Sequence, residues 1–264
     1  MNAVAIIPAR YGSTRFPGKP LARETGKFLI QHVYERASAA RLVQRCLVAT
    51  DDARIADAVR SFGGEAVLTR SDHASGTDRI AEVVRNMARS GHNIVVKPAG
   101  GFDFVLNVQG DEPEIEPAYL DRLIERLSAE HDCPVATLAC PFPEGADPRD
   151  PDCVKVVRNR LGRALYFSRA LIPFLRDGTE AASEADWLLH LGVYAYRTDF
   201  LLEMAGWSPT PLERTEKLEQ LRILENGRQI AVELVQRATV GIDTPADYEQ
   251  FVARWQAAGG ARVA

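Results

Sequence analysis

The stretch that decides the fold is "AVAIIPARYGSTRFPGKP", residues 3–20. Its first half is a short apolar run of the kind that forms a buried strand. Its second half carries Arg10, Arg15 and Lys19 among Gly12, Ser13, Thr14 and Gly18. Small residues let backbone N–H groups approach a ligand closely. Cations crowded into one short loop want a polyanion. In open α/β sheets, ligands bind beyond the carboxyl ends of the strands, so a basic loop directly after a strand is placed for binding. That position argues against a merely solvated basic loop. The stretch is not a Walker loop, G-x-x-x-x-G-K-[ST], whose last hydroxyl holds magnesium. Here five residues separate Gly12 from Gly18, and Pro20 follows Lys19. The G-x-G-x-x-G dinucleotide fingerprint is absent as well.

Outward from this loop, the first half of the chain alternates. "LIQHVYERASAA" has helical spacing, with Leu29, Val33, Tyr34 and Ala37 on one face. "CLVATD" reads as a strand, "ARIADAVRSFGG" as a helix stopped by Gly63 and Gly64, and "EAVLT" as a strand. "GTDRIAEVVRNMARSG" is a helix, "FDFVLNVQ" a strand, and "PAYLDRLIERLSAE" a helix opened by Pro117. Alternation with short loops implies a parallel sheet flanked by helices.

The second half changes character. "PVATLACPF", "VKVVRN", "RALYFS" and "LGVYAYRT" are strand-like with few helices between them, and suit antiparallel pairing. "PLERTEKLEQLRILENG" predicts one helix with Leu212, Leu218, Leu221 and Leu224 as its apolar stripe. "IAVELVQ" is a strand and "PADYEQFVARWQAA" a final helix. Residues 93–102, "NIVVKPAGGF", suggest an extra hairpin.

Composition limits the function classes. A chain of 264 residues with 46% hydrophobic content supports one elaborated domain with a large core. A formal net charge of -4 argues against a nucleic-acid partner. The basic loop is therefore a local device. Cys46, Cys133, Cys140 and Cys153 form no C-x-x-C and read as reduced thiols. No signal peptide and no membrane-length apolar run is present, so the expectation is a cytoplasmic protein with no membrane partner.

A phosphate site needs acids for its metal. "NVQGDEP", residues 107–113, places Asp111 after a strand, on the same rim as the first loop. In "VGIDTPADYEQF", residues 240–251, Thr244 caps a helix, Pro245 takes its first position and Asp247 completes a variant capping box. Asp243 is then left over, available to share a metal with Asp111. Of Asp51 and Asp52, one is expected to cap the helix that follows.

Together, "IIPARYGSTRFPGKPL", "TRSDHASGTDRIAEV", "NVQGDEP", "HLGVYAYR", "LEQLR" and "GIDTPADYE" resemble the 3-deoxy-manno-octulosonate cytidylyltransferase family, the CMP-Kdo synthetases of Gram-negative lipopolysaccharide synthesis. The resemblance runs from about Val4 to about Tyr248. It implies an α/β, nucleotidyltransferase-type (Rossmann-like) fold with a mostly parallel sheet and an extra mixed or antiparallel region for sugar binding and dimerisation. On this reading the chain is a single domain: a CTP-binding half over about 1–135, a sugar-binding and dimerisation part over about 136–240, and a returning metal-site loop and helix over 241–264.

The family also implies the reaction of CTP with the sugar acid Kdo, with Mg2+, in a homodimer. By resemblance, Arg10, Lys19 and Asp111 are catalytic, and Asp111 and Asp243 hold the metal. Pro8, Ala9, Gly12, Ser13, Arg15, Ser75, Gly76, Thr77 and Arg79 join Arg10 and Lys19 at the nucleotide. Gln109, Arg169, His190, Tyr194, Glu219 and Gln220 take the sugar. The chain departs from the family at Phe28, where proline is common, and at residues 93–102, which are longer.

Other readings are a CMP-sialic acid synthetase, a relative acting on an 8-amino analogue of Kdo, a non-catalytic nucleotide-binding protein and an NAD-dependent oxidoreductase. The run "RYGSTRFPGKP" and the block "HLGVYAYR" favour Kdo over a nine-carbon acid, retention of Arg10, Lys19, Asp111 and Asp243 argues for an enzyme, and the missing dinucleotide fingerprint argues against the oxidoreductase.

Overall fold

The computed structural model describes residues 2–12, 15–89, 101–176 and 187–260. The extra hairpin expected at 93–102 falls largely outside them. The chain divides into two compact units, Met1–Asp121 with Thr239–Ala264, and Arg122–Ala238.

The first unit is built on a parallel sheet in the order β3-β2-β1-β4, formed by β1 (Ala3–Ala9), β2 (Val43–Thr50), β3 (Ala66–Leu68) and β4 (Phe104–Asn107). Ala3, Val4, Ala5, Ile6 and Ile7 are all buried, so β1 is covered on both faces. This explains why its sequence is a continuous apolar run rather than an alternating one. Register pairs Ala9 with Thr50 and Ile6 with Asn107, which aligns the carboxyl ends of β1, β2 and β4 on one rim.

Helices α1 (Leu29–Ser38), α2 (Ala53–Ser61) and α3 (Gly76–Arg89) follow β1, β2 and β3. Each buries its apolar stripe: Leu29, Val33 and Ala37 on α1, Ile55 and Val59 on α2, Ile80, Val83 and Val84 on α3. Phe28 precedes α1 at φ -63°, an angle that a proline would also adopt. Asp52 caps α2, its carboxylate accepting the Arg54 N–H at 2.9 Å. The returning segment ends in α8 (Pro245–Ala257), with Thr244 and Asp247 forming the expected capping box. It packs Ile242, Tyr248 and Phe251 against Leu29.

Helix α4 (Pro117–Ala129) leads into the second unit. There β5 (Val135–Pro141) pairs antiparallel with β8 (Leu188–Arg197) and parallel with β9 (Ile230–Leu234). Strands β6 (Lys155–Arg158) and β7 (Ala164–Ser168) pair antiparallel with each other, and β6 meets β8 at Leu189. A short helix not expected from the sequence, α5 (Thr198–Met204), follows β8.

The single helix expected over residues 211–227 is corrected to two, α6 (Pro211–Glu216) and α7 (Leu221–Glu225). Lys217 breaks it in the left-handed conformation, φ 54°. The break buries Leu218 and Leu221 while Leu212 stays exposed. A fork from Arg222 to the Glu213 carboxylate, 2.8 and 2.6 Å, fixes the two short helices to each other. No described helix is long and apolar enough to cross a membrane.

Candidate active site at the strand ends

A cleft of about 460 Å³ opens in the first unit where β1 and β4 end. Strand β1 delivers Pro8, Ala9 and Arg10, and the turn after β4 delivers Gln109, Gly110 and Asp111. A Cβ at Gly110 would lie 3.0 Å from the Pro8 carbonyl oxygen, so a side chain there would press against β1 and glycine suits this close approach. Arg15, Lys19 and Pro20 come from the first loop. Gly18 turns that loop at φ +72° under the Tyr11 ring, and the Arg54 guanidinium stacks on Tyr11 at 3.5 Å. The loop is thereby pinned near α2. Gly12 does not line the cleft, and Ser13 lies outside the described residues.

The loop cations meet the acids directly. Lys19 Nζ donates to Asp111 Oδ2 at 2.8 Å and to the Ile242 carbonyl at 2.5 Å, with Asp243 Oδ1 at 4.0 Å. Arg15 Nη2 lies 2.9 Å from Asp243 Oδ1. Asp243, left over in the sequence, is thus an ion-paired carboxylate. The basic loop, the turn after β4 and the returning segment converge on one ammonium group. Arg10 lines the same cleft with an exposed side chain.

The donor set fits Mg2+. Among the described residues no cluster of three or more His, Cys, Asp or Glu side chains could enclose a metal. Asp111 and Asp243 instead supply carboxylates within reach of a common point. Magnesium is bound in this way, by one or two carboxylates, with waters and substrate phosphates filling the remaining positions. Beside them, burial pushes the Glu112 carboxyl up to about 7, with the Asp111 and Asp243 charges adding to the effect. Glu112 Oε2 is buried without a hydrogen-bond partner. Sequence reasoning passed over Glu112, although it adjoins Asp111.

The start of α3 makes another wall, with Ser75, Gly76 and Arg79 lining the cleft. Ser75 Oγ accepts the Asp78 N–H at 3.1 Å, as a capping residue does. Thr77 is buried and does not line the cleft. Arg79 is buried too: Nη1 bonds Thr69 Oγ1, lies 3.4 Å from the Arg70 carbonyl and sits 3.3 Å from Asp51 Oδ1. It joins the ends of β2 and β3 to α3. His73 also lines the cleft and was missed, since nothing in the sequence marks its partner, Glu82 on α3.

The other expected sugar residues lie in the second unit, apart from Gln109. His190 Nε2 contacts Thr137 Oγ1 at 3.0 Å, and the Phe167 and Tyr194 rings pack on the imidazole. Burial pushes His190 down to about 3, so the ring is neutral, and raises the Tyr194 hydroxyl well above its ordinary range. An irregularity in the β5–β8 pairing beside Thr137 brings these groups together. The Arg169 guanidinium bonds the carbonyls of Glu216 and Pro151, both at 2.8 Å. Glu219 and Gln220 follow the break at Lys217, and Gln220 is buried.

Comparison with known proteins agrees with this architecture. The model of the Cytidylyltransferase family matches residues 4–230. The 3-deoxy-manno-octulosonate cytidylyltransferase of Syntrophobacter fumaroxidans is 52% identical, over 96% of this chain and 96% of its own. That of Syntrophotalea carbinolica is 51% identical, over 94% and 96%. A solved structure of CMP:2-keto-3-deoxy-manno-octonic acid synthetase complexed with CTP is 43% identical, with a TM-score of 0.86 over 98% of this chain and all of that one. A 4-diphosphocytidyl-2C-methyl-D-erythritol synthase, 14% identical at a TM-score of 0.61, shares the fold alone. With near-complete coverage at such identity, the chain belongs to the 3-deoxy-manno-octulosonate cytidylyltransferase family.

Proposed function

We propose that this chain transfers CMP from CTP to the anomeric 2-hydroxyl of Kdo, giving CMP-Kdo and pyrophosphate. The observation that carries the reading is the meeting of Arg15, Lys19, Asp111 and Asp243 in one cleft, in a chain 52% identical to a relative of that name. The 2-hydroxyl oxygen bonds to the α-phosphorus, the bond from that phosphorus to the β-phosphate oxygen breaks, and the hydroxyl proton passes to solvent. Such a transfer is accelerated mainly by positioning and by stabilising charge.

Arg10, Arg15 and Lys19 receive the triphosphate, and Lys19 is already held in place by Asp111 and the Ile242 carbonyl. One charge pair at about 4 Å contributes up to about 4 kcal/mol at an effective dielectric near 20. Asp111 and Asp243 would hold Mg2+, which would supply positive charge against the phosphates. With the loop cations on phosphate, both carboxylates would be available to the metal.

In the second unit, Arg169 is bonded to carbonyl oxygens, with Asp152 at 3.9 Å. It keeps a positive charge for the sugar carboxylate. The neutral His190 and the Tyr194 hydroxyl supply hydrogen bonds for sugar hydroxyls. The reaction is proposed to run in the cytoplasm, where its product would activate Kdo for lipopolysaccharide assembly. The acting species is proposed to be a homodimer, with exposed Leu161, Leu165 and Phe174 as candidate contacts. Light scattering reading twice 29.1 kDa supports it, and the monomer mass refutes it.

The test is pyrophosphate release with CTP and Mg2+, run with Kdo, with sialic acid and with no sugar. Release with Kdo alone is expected. Release only with sialic acid would reassign the sugar pocket, and no release with either sugar would overturn the reading.

A further inference from the structure

We propose that His73 is a positioning residue for the nucleotide, clamped by Glu82 so that the wall formed by Ala74, Ser75 and Gly76 keeps its shape. This inference rests on the reading of the cleft as a CTP site. His73 lines the cleft just ahead of that wall. Its Nε2 is in hydrogen-bond contact with Glu82 Oε2, one turn and more into α3. The carboxylate can only accept, so Nε2 carries the proton.

The same oxygen, Glu82 Oε2, accepts the Arg70 N–H at 3.3 Å and lies 3.6 Å from Arg70 Nε. One carboxylate therefore holds both ends of the segment 70–73 against α3. The His73 and Glu82 side chains are 5% and 19% exposed, so water competes little for either partner. A partly buried hydrogen-bonded pair of this kind holds its segment in one geometry. Removing Glu82 leaves the largely buried His73 side chain without this partner, whereas removing His73 leaves Glu82 with Arg70 alone. Arg79 holds the start of the segment through the Arg70 carbonyl, the Ser75 cap ties its far side to α3, and the clamp secures His73 between them. Neither partner belongs to the loop or the acids that handle the phosphates, so losing the clamp should weaken nucleotide binding while sparing the chemical step.

The experiment is calorimetric CTP binding with Mg2+ on the full chain, together with steady-state kinetics and Tm. The variants are His73→Ala, Glu82→Ala and their double, with His73→Gln and Glu82→Gln as milder replacements. A glutamine at 73 can still donate an N–H to Glu82, and one at 82 retains an accepting oxygen. Each alanine variant should weaken CTP binding about tenfold, Glu82→Ala at least as much as His73→Ala because it also loses the Arg70 contacts, and the double variant should be no worse than Glu82→Ala, since the His73–Glu82 contact is already lost in it. His73→Gln should recover most of the affinity, with kcat and the sugar KM changed less than about threefold. Unchanged CTP affinity overturns the proposal, as do additive losses. A uniform loss of kcat, both KM values and Tm would make the pair a general stabiliser and overturn it too. If an alanine variant does not fold, the glutamine variants decide the question by the same criteria. If the wild-type chain binds no CTP, the functional reading fails along with the inference. If the wild type binds CTP and the variants match it, the inference fails alone.

Discussion

Lys19 shows how a single residue can tie distant segments of a chain together. Its ammonium holds Asp111 and the Ile242 carbonyl, so it joins the first loop to the two acidic segments before any substrate arrives. Lys19→Met should lower kcat by about 100-fold or more, the scale of losing one preorganised group that stabilises transition-state charge. It should also lower Tm, because Asp111 and the carbonyl lose their donor. Turnover within a few-fold of wild type would exclude the catalytic role. Asp111→Asn should abolish Mg2+-dependent turnover while CTP still binds; near-normal activity at low magnesium would remove Asp111 from the metal site. At this scale the sequence revealed residues whose chemistry is local. Lys19 and Asp111 were legible because a cation in a glycine-rich loop and an acid after a strand carry their meaning in their neighbours. Glu112, His73 and the buried role of Arg79 were not, because their character comes from partners and burial that no spacing encodes.

Secondary-structure elements were legible where caps and periodicity agreed. Thr244 illustrates this, its Oγ1 accepting the Asp247 N–H at 3.2 Å as the T-P-A-D pattern implies. Thr244→Ala should destabilise the chain by about 1 kcal/mol in urea unfolding. Because Asp243 adjoins the cap, the variant should also weaken Mg2+ dependence of turnover; an unchanged urea midpoint would show the cap to be redundant. The expected helix over residues 211–227 failed for a specific reason. Its leucines recur at helical spacing, but the chain changes direction at Lys217, a residue with no turn signature. The left-handed region costs a side chain about 1–2 kcal/mol relative to glycine. Lys217→Gly should therefore stabilise the protein by roughly 0.5–1 kcal/mol, after allowing for the added freedom of the unfolded chain. A loss of stability would mean that the lysine side chain contributes contacts that outweigh its strained backbone.

For the molecule as a whole, the alternation of strand and helix foretold the parallel sheet, and the change of pattern near the middle foretold antiparallel pairing. What it could not give was the division into a continuous inner segment, Arg122–Ala238, and a unit made from both sides of it. That division follows from long-range packing, including that of α8 on Leu29. The same packing sets a pH response. His32 on α1 bonds Thr25 Oγ1 at 2.8 Å and lies edge-on to Phe251 and Trp255 of α8. Burial pushes its pKa from 6.5 down to about 4, Lys27 lowering it further against the opposing pull of Glu35. Between those values the unfolded chain holds the proton and the folded chain does not. Stability from this group is therefore intact above pH 6.5 and lost as pH falls toward 4. Thermal unfolding followed across that window should show a shallower decline in His32→Gln than in wild type; parallel declines would assign the acid sensitivity elsewhere.

The site's acids reach it from opposite sides of the inner segment. Asp111 precedes Arg122, and Asp243 and the Ile242 carbonyl follow Ala238. On the ribosome, the basic loop emerges first and must wait through the synthesis of everything between before its last partners exist. A nascent chain therefore carries Arg15 without its counter-ion for most of its synthesis, open to any polyanion in reach. The contacts of Lys19 and Arg15 with the returning segment form only when that segment has left the exit tunnel, so translation that stops short leaves the loop's cations without those partners.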